Sequence, residues 1–315
     1  MNDALSSKKI LVLGGNGFIG SHLVDALLES GYSVRLFDRP NTVFLGNQLP
    51  ANIEIMYGDL NSEADISAAL AGCDICFHLI STVVPASSNL DPIFDIETNL
   101  TGTVRLLNYA VKAGLKKIIF LSSGGTVYGV PTHLPIDENH PTNPLCSYGI
   151  TKLAIEKYLH LYQQLHGLDY TVLRLANPFG ERQRINAAQG AIAVFLGKAL
   201  RHEKIEIWGD GSVIRDYIHI SDVISAMLKS VTYQGPEHVF NIGSGQGVSL
   251  NEVLDGIESV TGQPVTRCYT PQRAFDVPIS VLAITRAMSA LDWAPKTTFI
   301  TGLEKMMRWL DAASK

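Results

Sequence analysis

Residues 9–13 are a short run of β-branched and leucine side chains that breaks into Gly14-Gly15-Asn16-Gly17-Phe18-Ile19-Gly20. Residues 21–30 then carry Leu23, Val24, Leu27 and Leu28 at helical spacing on one face. Strand, glycine turn and helix in that order constrain the fold more than any other stretch of the chain. The alternation then repeats. Strand-like runs at 34–37, 53–56, 75–80, 118–122 and 171–175 are separated by helix-like segments such as 103–113 and 152–165. A chain alternating in this way builds a doubly wound parallel sheet with helices on both faces. The unbroken apolar character of the strands agrees with burial from both sides.

At roughly 150 residues per domain, a chain of 315 residues has room for about two lobes. After about Pro178 the pattern loosens into turn clusters at 209–212, 243–247 and 262–264. The expected division is a first lobe at 1–177, with returning segments near 215–242, and a smaller α/β lobe at 178–315. Hydrophobic residues make up 46% and charged residues 17%, which excludes disorder and favours a heavily buried fold. A net charge of −5 offers no basic field to nucleic acid or to an anionic membrane surface. No run approaches the roughly 20 apolar residues of a membrane span. Residues 1–9 lack the apolar core of a secretory signal, and four cysteines are too few for a disulfide framework, so reduced thiols in the cytoplasm are expected. Cys73 and Cys76 are spaced C-x-x-C without a second pair and run into a strand; one turn thiol and one strand thiol are expected, and no metal site.

The glycine loop suits an anion. Gly14 permits the tight turn, Gly17 lets a pyrophosphate approach the backbone, and Gly20 lets helix and strand pack closely. The first-turn N–H groups, those of Phe18 and Ile19 included, face the anion. Asp38 ends the second strand eighteen residues past Gly20. A carboxylate there accepts from ribose hydroxyls and repels a 2′-phosphate, which favours NAD over NADP even with Arg39 alongside. Asp59, in Gly58-Asp59-Leu60 after the third strand, is a candidate adenine contact or a plain turn acid.

Tyr148 and Lys152 stand four apart on a predicted helix, about 6 Å apart at Cβ. An ammonium so placed lowers the pKa of a phenol and also holds a ribose hydroxyl; a phenol titrating near 10 needs such help at neutral pH. The strand at 118–122 ends in Ser122-Ser123-Gly124-Gly125, where hydroxyls and N–H groups can face the same carbon as Tyr148.

Together these stretches carry a resemblance. The loop G-x-x-G-x-x-G, then Asp38, Gly58-Asp59-Leu60, Asn99, Ser122-Ser123 followed by Thr126-Val127-Tyr128-Gly129, Tyr148-x-x-x-Lys152 and Arg215-Asp216-Tyr217-Ile218-His219 resemble the extended short-chain dehydrogenase/reductase superfamily. Within it the chain is most similar to UDP-hexose 4-epimerases of the UDP-glucose 4-epimerase type, over nearly its whole length. The resemblance implies a Rossmann-type domain with a smaller C-terminal substrate lobe. It also implies a bound NAD that removes hydride from C4 of a nucleotide sugar and returns it to the opposite face. Tyr148 would be base and then acid, with Lys152 holding the nicotinamide ribose. Asn99 and Ser122 would lie near the cofactor, and Leu79, Ile80 and Ser81 would line the nicotinamide side. Asn177, Arg215, Arg273 and Asp276 would hold the substrate's diphosphate and uridine ribose, and a homodimer through helices near 100–110 and 155–165 is implied.

One position departs from that pattern. Epimerases of this type place Ser or Thr where this chain has Gly124, so the hydroxyl sharing the 4-OH proton has to come from Ser123, from Thr126 or from water; Ser123 is the expected source. Gly125-Thr126 also replaces the acidic pair of the related dehydratases and the Glu of decarboxylases. A dehydratase or reductase on the same scaffold, or a non-catalytic NAD-binding protein, are the alternatives; the Tyr148–Lys152 pair argues against the last. Ser81-Thr82-Val83 and Val194-Phe195 are candidate pocket walls.

Overall fold

The structure is a computed structural model describing residues 8–47, 49, 53–185, 190–271 and 277–313. Six strands come from the first half of the chain: β1 (Lys9–Leu13), β2 (Ser33–Asp38), β3 (Glu54–Tyr57), β4 (Ile75–His78), β5 (Lys117–Ser123) and β6 (Asp169–Leu175). With Val239–Ile242 they form a seven-stranded sheet in the order Val239–Ile242, β6, β5, β4, β1, β2, β3, all parallel. This is the doubly wound arrangement expected from the alternation.

Successive side chains on a strand point to opposite faces, and here both faces are dry. Ile10 and Val12 of β1 enter one core with Leu23, Val24 and Leu27 of the helix Phe18–Glu29. Leu11 and Leu13 enter the other with Leu106 and Leu107 of Gly102–Ala113 and Ile155 and Leu159 of Ser147–His166. The first helix begins at Phe18, three residues before the expected Ser21. The last glycine of the loop, Gly20, already packs as helix against the strand end.

The second lobe is a four-stranded sheet of Asn177–Phe179, Ile214–His219, Gly247–Ser249 and Ile279–Ser280, with a two-stranded ladder of Ile205–Trp208 and Arg267–Thr270 beside it. Helices Ala191–Leu200, Leu250–Thr261 and Phe299–Ala313 close a third core around Phe179, Tyr217, Leu254 and Met306. The expected return near 215–242 is therefore split. Ile214–His219 belongs to the second sheet, whereas Ile220–Thr232 packs Val223, Ile224 and Met227 into the first lobe's core and Val239–Ile242 joins its sheet edge. A buried polar spot explains the split: Asp216 accepts from Ser244 N–H at 2.7 Å, Gly245 N–H at 3.2 Å and Leu282 N–H at 3.3 Å, which ties that strand to the second lobe's loops. Among the described residues no helix is long and apolar enough to cross a membrane. Cys73 and Cys76 are both buried, and burial pushes both thiols up.

Candidate active site

The glycine loop leaves the carboxyl end of β1. Gly14 takes φ +87°, a conformation side chains rarely adopt, and its N–H donates to Phe37 O at 2.8 Å, tying the turn to β2. A Cβ on Gly20 would stand 2.1 Å from Gly14 O and 2.8 Å from Gly15 Cα, so helix and strand close together only because that side chain is absent. Gly17 differs: a Cβ there would meet only Gly14 O, at 3.3 Å. The helix starting at Phe18 has no side-chain cap and no acidic residue in its first turn, so the N–H groups of Phe18 and Ile19 stand open at the positive end of the helix dipole. Asp38 accepts from Asn16 N–H at 2.9 Å and Arg39 N–H at 2.8 Å; the acid suited to a ribose also holds the loop in shape. An open glycine, an uncapped helix start and an acid closing the second strand fit the phosphates and ribose of a dinucleotide.

Tyr148 and Lys152 occupy the first two turns of the helix Ser147–His166, which Gly167 closes at φ 68°. Both line a cleft of about 1070 Å³ that runs from Gly17, past Leu79 and Ser81, to Asn177 and Arg215. Lys152 is 5% exposed; its ammonium donates to Leu121 O at 2.9 Å and lies 4.6 Å from the Phe120 ring centre and 5.5 Å from that of Tyr148. Burial lowers its pKa to about 8 against the opposing pull of Asp95 and Glu156. The Tyr148 phenol is pushed up by burial first, then by Cys146 and Asp95. The expected lowering of the phenol by Lys152 is thus absent from this geometry. The ammonium is committed to a carbonyl and sits over ring faces instead of at the hydroxyl.

Beside this helix, β5 delivers the serines. Ser122 already donates to Glu156 Oε1 at 2.5 Å, and Glu156 is paired with Arg174 at 2.6 Å. Ser123, Gly125 and Thr126 line the cleft, and Thr126 Oγ1 is buried without a hydrogen-bond partner. Gly124 faces the other way. A Cβ there would lie 2.6 Å from Leu282 Cδ1 and 3.2 Å from Arg174 O, whereas one on Gly125 would meet nothing within 4 Å. Leu282 fills the space that a side chain at 124 would need.

Asn99, 6% exposed, holds the loop after β4 by donating to Thr82 Oγ1 at 2.7 Å and accepting Thr82 N–H at 3.0 Å. That loop presents Leu79 and Ser81 to the cleft, and Ile80 backs Gly14. Asn177 donates to Asp216 O at 3.1 Å, and Arg215 to Val277 O at 2.6 Å, both on the cleft wall. Asp59 and Leu60 follow Gly58, whose N–H donates to Asp38 O at 3.0 Å, so they lie beside the acid that suits the ribose. Asp59 is exposed and accepts from Asn61 N–H at 2.8 Å to close its own turn, and Leu60 is buried in the core, because the chain turns into the next helix there. Arg273 and Asp276 lie outside the described residues. Val194 and Phe195 are not pocket walls; they pack into the second lobe's core. Trp208, Gln183 and Arg184 also line the cleft; no local sequence pattern marks them, since their elements meet the site only through tertiary packing. Glu156 was legible in principle, as an acid one turn past Lys152 on an otherwise buried face.

A Rossmann-type sheet, a phosphate-binding glycine loop and a tyrosine–lysine pair in one cleft define a short-chain dehydrogenase/reductase type of enzyme. The profile of the NAD dependent epimerase/dehydratase family matches residues 10–243, and the chain belongs to that family, whose cofactor is NAD. It is 36% identical over 302 residues to a putative UDP-glucose 4-epimerase of Methanocaldococcus jannaschii, covering 96% of this chain and 98% of that one. The crystal structure of the Thermotoga maritima UDP-glucose 4-epimerase with UDP-glucose superposes with a TM-score of 0.90 at 36% identity, covering 98% of this chain and 100% of that one. The Thermus thermophilus UDP-glucose 4-epimerase complex with NAD gives 0.88 at 30% identity, covering 97% and 99%.

Proposed function

We propose that the protein is a nucleotide-sugar 4-epimerase acting on a UDP-hexose. The observation that carries this reading is the continuity of one cleft from Gly17 through Tyr148 and Lys152 to Asn177 and Arg215. A cofactor at one end and a nucleotide sugar at the other would meet at the phenol. When bound, NAD would supply the hydride acceptor and donor. Tyr148 takes the proton of the 4-hydroxyl and later returns it, and Lys152, one turn along the same helix, would hold the nicotinamide ribose. Ser123 shares that proton, with Thr126 as the second hydroxyl on the same wall. Asn177 and Arg215 hold the diphosphate, the latter because a guanidinium donates two bonds at once to a phosphate. Arg273 and Asp276 are assigned the same end of the substrate by resemblance.

The protein is assigned as a cytoplasmic homodimer. Supporting the dimer, Tyr158, Leu161 and Leu165 lie exposed along one side of the helix Ser147–His166; size-exclusion chromatography with light scattering should return twice the chain mass. Purified protein incubated with UDP-glucose should yield the C4-inverted sugar by NMR. A deoxy-keto product, or net consumption of NADPH, overturns the reading in favour of a dehydratase or a reductase.

A further inference from the structure

Ser123 and Thr126 reach the cleft from one short turn. Within it Thr126 N–H and Val127 N–H donate to Ser123 O at 3.3 and 3.2 Å, and Gly124 N–H donates to Leu175 O at 2.8 Å. Both ends of the turn are held from behind the cleft wall. At one end Ser122 donates to Glu156 Oε1 at 2.5 Å. At the other Tyr128 accepts from Arg174 Nη1 at 2.9 Å and donates to Asn241 Oδ1 at 2.6 Å. The two anchors are partners of each other: Glu156 and Arg174, each 5% exposed, are joined by hydrogen bonds at 2.6, 3.1 and 3.2 Å. Ser122 and Arg174 are also register partners across β5 and β6, while Glu156 comes from the tyrosine–lysine helix, one turn past Lys152.

We propose that Glu156 and Arg174 are positioning residues, a single buried ion pair that fixes both ends of the turn 123–127 and with them the hydroxyls offered to the sugar's 4-OH. A buried ion pair is a poor means of stability, since an apolar pair of similar volume commonly does as well. What an apolar pair would lack is the acceptor for Ser122 and the donor for Tyr128. Each charged partner divides its bonds between the opposite charge and one end of the turn, so neither end can shift without breaking into the pair. Burial pushes the Tyr128 hydroxyl up to about 12, so it keeps its proton and its bond to Asn241. Lys152 adds a third point by donating to Leu121 O at 2.9 Å, directly before Ser122. Strand end, turn and the helix carrying Tyr148 are thereby locked in one geometry, as proton transfer between a hydroxyl and a phenol requires.

Tyr128→Phe and Ser122→Ala each remove one tie and leave the ion pair in place; Tyr128, 1% exposed, stands behind the cleft wall, so its hydroxyl acts only through the turn. In the NAD-loaded protein, amide hydrogen exchange at Gly124, Thr126 and Val127 should quicken about tenfold or more in either variant, while residues 117–121 and the helix Ser147–His166 keep their protection. A pair that only stabilised the fold would loosen all of these amides together. The kinetic arm rests on the epimerase reading: with UDP-glucose, well below the melting temperature, kcat should fall about tenfold or more in either variant with KM unchanged. Turn amides as protected as in the parent, exchange that rises everywhere alike, or an unchanged kcat overturns the proposal. If Tyr128→Phe does not fold, Ser122→Ala decides both arms. A parent enzyme inactive on every sugar nucleotide would sink the epimerase reading and leave the exchange arm to decide.

Discussion

Gly20 and Gly17 occupy the same loop yet answer to different forces, and paired alanine substitutions separate them. In Gly20→Ala the new Cβ would stand 2.1 Å from Gly14 O and 2.8 Å from Gly15 Cα, both backbone atoms of the turn that hydrogen-bonds to Phe37. Relieving that overlap requires the helix start to move by about 1 Å, an overpacking cost of about 3 kcal/mol. Alanine in a helix returns about 1 kcal/mol over glycine, so the net loss is about 2 kcal/mol, or about 3 °C in Tm for a chain of this size. In Gly17→Ala the Cβ meets one oxygen at 3.3 Å, and the residue's φ of −73° suits alanine, so Tm should stay within about 1 °C. Its methyl, however, points where a phosphate would approach the open N–H groups, and NAD affinity should fall at least tenfold, about 1.4 kcal/mol. Scanning calorimetry and isothermal titration with NAD read the two effects. A Gly20→Ala protein as stable as the parent, or a Gly17→Ala protein that melts early and binds NAD normally, refutes the division of labour.

Other outcomes follow from the buried charges and the cleft wall. Glu156→Ala should lose about 3–5 kcal/mol in urea denaturation, because it strands Arg174 and the Ser122 hydroxyl in the interior; Glu156→Leu with Arg174→Met should recover most of it. The pKa of Lys152 is about 8 when folded, against 10.5 as its ordinary value, so between those pH values the unfolded chain binds the extra proton and stability rises with pH. That rise should be missing from Lys152→Met when denaturation is compared at pH 8 and pH 10. Asp38→Ala should weaken NAD binding and narrow the preference over NADP, measured by titrating both, since it removes the carboxylate and frees Asn16 N–H. Tyr148→Phe should abolish turnover. If Ser123→Ala keeps full turnover while Thr126→Val loses it, the orphaned Thr126 hydroxyl is the proton partner.

The sheet and its cofactor end were legible because the signals are local. Gly14, Gly17 and Gly20 act through backbone geometry within seven residues, and Asp38 lies one strand away, so spacing alone set them in register. Tyr148 and Lys152 were paired by the pitch of a helix. Their electrostatics were not, because a pKa depends on what packs around a group. The spacing suggested a phenol lowered by its ammonium, whereas the folded chain puts that ammonium on Leu121 O and over two rings. The glycine at 124 shows the same limit: read along the chain it is a lost hydroxyl, and in three dimensions its place is taken by Leu282, which arrives from the second lobe.

What the linear order determined by itself is therefore a parallel sheet, a phosphate-binding turn and a tyrosine–lysine pair, each set by neighbours a few residues apart. Tertiary packing alone decided that Arg174 would pair with Glu156 behind the cleft wall, that Trp208 would reach the cleft, and that Val194 and Phe195 would not. The physical reason is range. Backbone turns and helix faces are dictated by short-range sterics, while burial, charge balance and cavity shape depend on which distant segments come together.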